Sequence, residues 1–503
     1  MATKLPVHFK SQRACVTCRK WKKQCDKMIP RCSRCIRKSI CCDYTITPAD
    51  NFVSQHQIPG LHVAASTDMV LVETSPCLPR ITQLGWGLLL EALCNPLDSH
   101  QKGTAFAALI QRILVKSGTS LVIAASKFMD TIYPWFPIID AETITRLIKS
   151  SEDESTDSLS AFRVLCMHLL TQVPCHHPNH MTSNSLYLAA RRFFFLFQDV
   201  TSHVPVELLQ GGLLITLYEC SHGIWDAAYL SLTNCIALSQ IAGVKFEEIF
   251  NSHDNDPRKA SCWAIILLDR LISLLNVENP RPPLISHTDS QHDLTWLSRA
   301  VTAVENHDGS YDRTRLCVAA QTAYTLGDTL CYISHSKGVF TKTLVYDLVD
   351  KFNADLINKL LSTSQSRPLH FCDTTAFAVS VLVELRLTRR VWRTQQIPVS
   401  PEEVVSLHSA LNMAHEMVHS ATEMTASRQM GAVSFIGLVS VLRTIIHLAA
   451  VRGSGFNSGE WSEMESLLLR FSKRWIIGVQ LLRDFNQHKQ AARAGLSNDF
   501  AKV

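Results

Sequence analysis

Six cysteines near the N-terminus have the spacing of metal ligands. They follow the pattern C-x2-C-x6-C-x6-C-x2-C-x6-C, and they are Cys15, Cys18, Cys25, Cys32, Cys35 and Cys42. The two residues inside each C-x2-C pair allow a tight turn that directs both thiolates at one metal ion. Thiolates at this spacing favour Zn²⁺, which prefers four tetrahedral ligands. Two such ions need eight ligand positions, so two of the six cysteines must bridge. The pattern therefore predicts a binuclear zinc cluster.

The segment that carries these cysteines is strongly basic. Residues 1–44 contain twelve Lys and Arg residues against two acidic residues, Asp26 and Asp43. Six thiolates with two Zn²⁺ add a formal charge of only −2, so the segment stays positive. Between the second and third cysteines lies the run Arg19-Lys20-Trp21-Lys22-Lys23. Positive charge at this density predicts binding to nucleic acid.

The stretch from Cys15 to Tyr44 resembles the fungal binuclear zinc-cluster DNA-binding module. The matching positions are the six cysteines, Arg19, Lys22, Asp26, Pro30 and the ending Cys42-Asp43-Tyr44. The resemblance implies two zinc ions bridged by Cys15 and Cys32, and recognition of CGG-like DNA triplets. The sequence departs from the family at Trp21 and Gln24, where basic residues are usual, which leaves the finer base preference open. Cys41 lies off the pattern, and Cys42 is the better-spaced sixth ligand.

Seven basic residues are candidates for DNA contact. A short helix is expected after Cys18, with Lys22 recognising a base, because Lys can donate to guanine O6 and N7. Contacts to phosphate position a module without specifying sequence. They are expected from Arg19, Lys20, Lys23, Arg34, Arg37 and Lys38. Trp21 is expected to pack or to lie along the sugar backbone. The alternatives for the basic run are a solvated face and a nuclear import signal.

The rest of the chain has a different composition. The protein has 503 residues, of which 46% are hydrophobic and 18% charged, and beyond residue 44 acidic residues outnumber basic ones by 42 to 37. The positive charge is therefore confined to the cysteine segment. Residues 1–14 lack the apolar core of a secretory signal, so the seventeen cysteines indicate a reducing compartment, with the nucleus favoured. No stretch of about twenty apolar residues occurs, so no membrane span is expected.

The positions of Pro and Gly and the periodicity of apolar residues divide the chain into four predicted segments. Residues 11–44 form the zinc cluster, 45–80 a proline-containing linker, 81–485 an all-α domain of about fifteen to twenty helices, and 486–503 a tail. The linker shows no heptad pattern, which disfavours a coiled-coil dimer but leaves another homodimer contact open. Ser462 to Phe485 is predicted to be one helix that begins with a capping box of Ser462 and Glu465. The fold class is mostly α.

Three stretches of the helical domain resemble the middle homology region of fungal transcription factors. The first ends Tyr133-Pro134-Trp135-Phe136-Pro137-Ile138-Ile139-Asp140, the second runs from Leu213 to Val244, and the third is Trp263 to Arg270 followed by Arg281-Pro282. Each stretch is weak alone, and their order behind the cysteine segment carries the resemblance.

Other features of the helical domain have ordinary explanations. Asp269 and Arg270 are expected to form an ion pair, the alternative being part of a ligand pocket. The stretch Cys175 to His180 is expected to be a surface loop rather than a metal site. The aromatic run Phe193 to Phe197 is expected to lie in the core or at a helix interface.

Two functional hypotheses follow. The leading one is an RNA polymerase II transcription regulator that binds promoter DNA, engages the transcription machinery and controls a fungal metabolic or secondary-metabolite pathway. The alternative is a ligand-responsive helical receptor or scaffold whose zinc cluster is mainly structural. The chain has no G-x-S-x-G, no H-E-x-x-H and no phosphate-binding glycine loop, so no catalytic residues are assigned and an enzyme is not expected. A small-molecule effector is compatible with both hypotheses.

Overall fold

The chain divides into two compact units, Met1–Thr74 and Ser75–Val503. In this computed structural model the described residues are 14–15, 18, 21–27, 32–38, 99–150, 157–173, 185–200, 203–246, 249–250, 256–276, 281–285, 311–336, 343–364, 372–393, 401–427, 433–452 and 457–493. The predicted linker at 45–80, the His-containing stretch at 175–180 and Cys42 lie outside them.

Helices make up the regular structure of the described residues in both units. In the described part of the first unit, Cys18 is helical and a short helix, α1, spans Ser33–Arg37. The described part of the second unit has sixteen helices and no strand: α2 (Ser99–Lys116), α3 (Leu121–Thr131), α4 (Ala141–Ser150), α5 (Ser158–Thr171), α6 (Ser185–Val200), α7 (Val206–Ser221), α8 (Trp225–Ile241), α9 (Pro257–Leu275), α10 (Tyr311–Thr325), α11 (Gly327–Ser336), α12 (Thr343–Ser364), α13 (Cys372–Arg393), α14 (Pro401–Ser427), α15 (Phe435–Arg452), α16 (Ser458–Arg474) and α17 (Ile477–Arg493). The mostly α prediction is confirmed.

Helix α7 lies at the centre of the second unit. It is buried on all sides from Leu208 to Ser221, as expected for a helix that is apolar around its circumference. It packs against α5, α6, α8 and α9. Close approach depends on Gly211, where an added Cβ would lie 2.2 Å from the Phe162 ring of α5. A larger residue at this position would push the two helices apart.

The aromatic motif at 133–137 is covered by helices near the C-terminus. The Trp135 ring packs edge-on against Trp475, with ring centroids 6.2 Å apart. The Arg474 guanidinium lies 3.9 Å from the centroid of the Trp475 ring. Arg474 also donates to the backbone carbonyls of Leu170 and Gln172, at the end of α5. Because these carbonyls lack partners within the helix, the arginine satisfies them. One hydrophobic core thus extends from Phe106 to Phe485.

The region predicted as one helix from Ser462 to Phe485 is two helices. The observed capping box uses Asn457 and Glu460, so α16 begins at Ser458, before the predicted start. The α16 helix ends at Arg474, because Trp475 is extended and fully buried. Helix α17 then continues to Arg493, eight residues beyond the predicted end of the helical domain.

Asp269 and Arg270 form the expected buried ion pair. Arg270 Nη1 donates to Asp269 Oδ2 over 2.5 Å, and neither side chain is more than 2% exposed. The Asp269 carboxylate also accepts the N–H groups of Leu284 and Ile285, at 2.8 and 3.1 Å. Arg270 in turn donates to the Ile285 carbonyl over 2.8 Å. The pair therefore fixes the loop after α9 onto that helix.

The aromatic run of α6 is split between core and surface. Phe193, Phe194 and Phe197 are buried, whereas Phe195 is 43% exposed. Within the described residues, no single helix is long and apolar enough to cross a membrane. The segments Gly103–Lys116 and Leu121–Thr131 meet the test only as a pair that bends by 71°.

Candidate metal centre and nucleic-acid interface

Four cysteine sulfurs of the first unit form a compact group. Cys15 Sγ lies 3.8 Å from Cys32 Sγ and 3.7 Å from Cys35 Sγ. Cys18 Sγ lies 3.8 Å from Cys32 Sγ and 4.0 Å from Cys35 Sγ. A zinc ion with tetrahedral bonds of about 2.3 Å to sulfur separates its ligands by about 3.8 Å. The four sulfurs therefore have the spacing that one Zn²⁺ requires.

The two C-x2-C pairs have the same local geometry. The Cys18 backbone N–H donates to Cys15 Sγ over 3.4 Å. The Cys35 backbone N–H donates to Cys32 Sγ over the same distance, 3.4 Å. Hydrogen bonds of this kind orient a ligating thiolate and offset part of its charge. The near-repeat in the sequence is therefore a repeat of structure as well.

Cys32 belongs to a second group of possible ligands. Its sulfur lies within 4.8 Å of ligand atoms of Cys25 and Asp26, as well as within the group of four. Cys25 is half-buried, whereas Cys15, Cys18, Cys32 and Cys35 are almost fully buried. A sulfur common to two ligand groups is what a bridging ligand requires.

The environment treats two of the thiols differently. Burial raises the pKa of Cys18 to about 12. Burial also opposes ionisation of Cys32, but hydrogen bonds from the Cys35 N–H and from neighbouring thiols lower the pKa of Cys32 to about 6. Zinc binds the thiolate form, so metal binding releases protons from such groups. Bound zinc would supply the folding free energy that this small unit lacks in apolar core.

The described part of the basic run, Trp21 to Lys23, lies at a turn that the cysteine unit holds in place. The Lys23 N–H donates to the Cys18 carbonyl over 2.8 Å, and Lys22 between them has a positive φ of 48°. This pattern ends a helical turn with a left-handed residue. The sequence predicts a short helix after Cys18, whereas Trp21 and Lys22 lie in a turn. Trp21, Lys22 and Lys23 are all exposed.

The second half of the unit presents further basic residues. Helix α1 carries Arg34 and Arg37, and Lys38 follows it with its N–H donating to the Arg34 carbonyl over 3.1 Å. Arg37 and Lys38 are exposed, and Arg34 is half-buried. The Ser33 N–H at the start of the helix donates to the Asp26 carboxylate, at 3.1 and 3.2 Å. Asp26 thus ties the loop after the third cysteine to the second C-x2-C pair. Arg19 and Lys20 lie outside the described residues.

Sequence reasoning missed a buried acid in the second unit. Glu219 of α7 is fully buried, accepts the Tyr187 hydroxyl over 2.7 Å and lies 3.6 Å from Arg191 Nε. Burial raises the pKa of Glu219 to about 7. The only sequence signal is a charged residue inside an otherwise apolar helix.

Comparison with known proteins finds a family match within each unit. The sequence profile of the fungal Zn(2)-Cys(6) binuclear cluster domain matches residues 13–50. The profile of the fungal specific transcription factor domain matches residues 125–294. The chain thus matches both domain families of the fungal zinc-cluster transcription factors. The first unit is thus a binuclear zinc cluster, and both domains imply DNA binding and a nuclear role. Transcription factors of this class are typically not enzymes.

One curated relative gives the same classification. A stretch of 110 residues is 27% identical to Transcription factor BOA15 of Botryotinia fuckeliana (strain B05.10). The match covers 22% of this chain and spans 59% of the length of that relative. No solved structure matches the chain.

Proposed function

We propose that this zinc-cluster transcription regulator recognises CGG-like triplets in promoter DNA through the turn at Trp21–Lys23. The observation that carries the proposal is the hydrogen bond between the Lys23 N–H and the Cys18 carbonyl. Through it, the buried sulfur group fixes the position of Lys22, whose ammonium can donate to guanine O6 and N7. The metal centre and the recognition side chain are therefore one structural element.

The remaining basic residues have a different role. Arg37 and Lys38 lie exposed at the end of α1, beside the second C-x2-C pair. Contacts from these residues, and from Arg19, Lys20, Lys23 and Arg34, go to phosphates and set the orientation of the module. Such contacts make binding depend on salt but not on base sequence.

The proposed ligand set comprises all six cysteines. Cys15 and Cys32 bridge the two ions, and the terminal ligands are Cys18, Cys25, Cys35 and Cys42. The shared position of Cys32 between two ligand groups supports its bridging role. The support for Cys15 is its equivalence to Cys32 in the structural repeat.

The helical unit controls output in this proposal. We assign residues 11–44 to DNA binding, 45–80 to a linker and 81–485 to regulation, with helix α17 extending the regulatory domain to Arg493 and the residues after it forming the tail. The regulatory domain acts on the transcription machinery, alone or as a homodimer, and responds to a small-molecule effector. The genes it controls belong to a metabolic or secondary-metabolite pathway, which rests on the resemblance of the domain layout.

Selection of bound sites from random DNA tests DNA recognition. The full-length zinc-loaded protein is expected to enrich CGG-like triplets, and their spacing reports whether one or two copies bind. A gel-shift titration then compares the selected site with a scrambled duplex at two salt concentrations. Equal affinity for both duplexes would contradict sequence-specific recognition, and retention of triplet preference after zinc chelation would contradict the role of the cluster.

A further inference from the structure

We propose that Trp21 determines the base preferred next to the guanine that Lys22 recognises, by packing its indole ring against the methyl group of a thymine. The inference rests on the proposed function and deepens it. It concerns a position at which this chain carries an aromatic residue beside cations.

Exposure is the first observation. Trp21 leaves 53% of its surface accessible, although Cys15, Cys18, Cys32 and Cys35 of the same unit are almost completely buried. A single exposed apolar side chain is ordinary on a protein surface, so exposure alone decides nothing. Its location is what matters, because Trp21 directly precedes Lys22 in the turn.

The turn holds the backbone of Trp21 and Lys22 on a fixed support. The hydrogen bond from Lys23 N–H to the Cys18 carbonyl closes the turn over Trp21 and Lys22. Cys18 itself is 1% exposed within the sulfur group. A backbone that is already fixed does not have to be ordered on binding, which favours a specific contact over a loose one.

Spacing then selects the base pair. Consecutive Cα atoms are about 3.8 Å apart, and consecutive base pairs are about 3.4 Å apart along the duplex. When Lys22 donates to a guanine, the Trp21 Cα therefore lies about one base-pair step away, and the adjacent base pair is within the length of an indole side chain. The exposed cations Lys22 and Lys23 bring DNA to this side of the unit.

Chemistry selects the base. Thymine is the one base that presents a methyl group in the major groove, and apolar side chains contact it favourably. The indole N–H is a donor only, so it pairs with the thymine O4 acceptor but not with the amino group of cytosine. A tryptophan at this position thus favours thymine, whereas a lysine would favour guanine.

The structural repeat provides a matched control. Lys38 lies seventeen residues after Trp21, as Cys32 lies seventeen residues after Cys15, and it is exposed at the end of α1. Lys38 is assigned to phosphate contact. Its removal should weaken binding to every duplex by the same factor, because phosphates carry no base identity.

The experiment compares four full-length proteins on two duplexes. The proteins are the wild type, Trp21→Ala, Trp21→Phe and Lys38→Ala, each first shown to hold the same amount of zinc. One duplex is the site selected by the wild type, and the other replaces the thymine beside the triplet by deoxyuridine, which lacks only the methyl group. The wild type is expected to lose about fourfold in affinity on the second duplex, the value of one buried methyl group.

The variants separate base contact from general effects. Trp21→Ala should bind both duplexes equally, Trp21→Phe should keep part of the discrimination, and Lys38→Ala should weaken both by one factor. A selected site with no thymine beside the triplet would overturn the assignment. The assignment would also be overturned if Trp21→Ala discriminated between thymine and deoxyuridine as well as the wild type does. The same holds if the wild type bound both duplexes equally while still preferring the triplet. A wild type without triplet preference would overturn this assignment and the proposed function together.

Discussion

Cys15 and Cys32 hold their sulfur atoms 3.8 Å apart, and each sulfur accepts the backbone N–H of the residue three positions further along. The two halves of the cysteine unit therefore meet at this pair of sulfurs. Cys32 also lies close to Cys25, outside the group of four. Substitutions at shared and terminal ligands should consequently have different effects on metal content.

Replacing Cys32 by Ala should release both zinc ions and unfold the unit, because metal binding supplies its folding free energy. Cys15→Ala should do the same, whereas Cys25→Ala removes only one terminal ligand and should leave at least one ion per chain. Metal analysis of the full-length protein measures this directly. Cys331→Ala, a substitution in the helical unit, is the control and should keep two ions. Two retained ions in Cys32→Ala would contradict the bridge.

Two substitutions at Lys22 separate base recognition from backbone conformation. Lys22→Ala and Lys22→Gly both remove the ammonium group, and each should lower discrimination between the triplet and its variants by about 1–3 kcal/mol. Glycine suits the positive φ of 48° at this position better than alanine does. Zinc affinity should therefore be preserved better in Lys22→Gly than in Lys22→Ala. An intact specificity profile in both variants would reject the proposed role of Lys22.

Asp269 and Asp226 hold the same loop through contacts of different burial. Asp269→Ala would leave the Arg270 guanidinium buried without its partner, so we expect a loss of about 3–5 kcal/mol in unfolding free energy. Asp226 is 82% exposed in its pair with Arg281, and Asp226→Ala should cost at most about 1 kcal/mol. Hydrogen exchange at the amides of Leu284 and Ile285 should accelerate only in Asp269→Ala. Equal protection in both variants would argue against this anchor.

Glu219 should make the stability of the helical unit depend on pH. Burial raises its pKa from 4.5 to about 7, so between these values the folded state keeps a proton that the unfolded state releases. Stability therefore falls as pH rises through this window and then levels off. Glu219→Gln has no carboxyl group to ionise, so its unfolding free energy should not fall in this window. Between low pH and pH 8 it should therefore gain roughly 3 kcal/mol of stability relative to the wild type, as measured from unfolding midpoints.

The comparison of variants is needed because buried histidines act in the opposite direction. Burial lowers the pKa of His168 and of His222 to about 4, and the stability they contribute is lost as pH falls from 6.5 towards that value. The wild type and Glu219→Gln share this histidine contribution, so it cancels when their stabilities are compared. Tyr187→Phe removes the hydroxyl that stabilises the Glu219 carboxylate, and this should raise the pKa of Glu219 further. The stability of Tyr187→Phe should therefore continue to fall above pH 7. Parallel curves for the wild type and Glu219→Gln would refute the pKa shift.

The cysteine spacing was sufficient to predict the metal centre, because ligand number and chemistry leave few arrangements. The conformation of Lys22 was not predictable in the same way. A left-handed residue that ends a helix is usually Gly or Asn, and Lys gives no such signal. The hydrogen bond that imposes the conformation joins Lys23 to Cys18, and it depends on the cluster itself.

Helical periodicity predicted the class of the second unit but not its interruptions. The break at Trp475 follows from burial of that ring against Trp135 and Phe435, and Gly478 allows the close approach after it, since an added Cβ would lie 2.7 Å from Ser472 Cα. Glu219 illustrates the same difficulty. Its hydroxyl partner Tyr187 lies 32 residues earlier in the chain, and no local pattern links the two.

The contact of Arg474 with the end of α5 joins segments about three hundred residues apart, with a separation of 302 between Arg474 and Gln172. Serial C-terminal deletion is commonly used to locate the segment through which a transcription regulator acts. In this protein, any C-terminal deletion that removes Arg474 and Trp475 also leaves the α5 carbonyls without their donor and opens a cavity beside Trp135. Loss of transcriptional activity in such a deletion variant would therefore reflect loss of the fold. The surfaces through which the protein acts are better mapped by single substitutions of exposed residues.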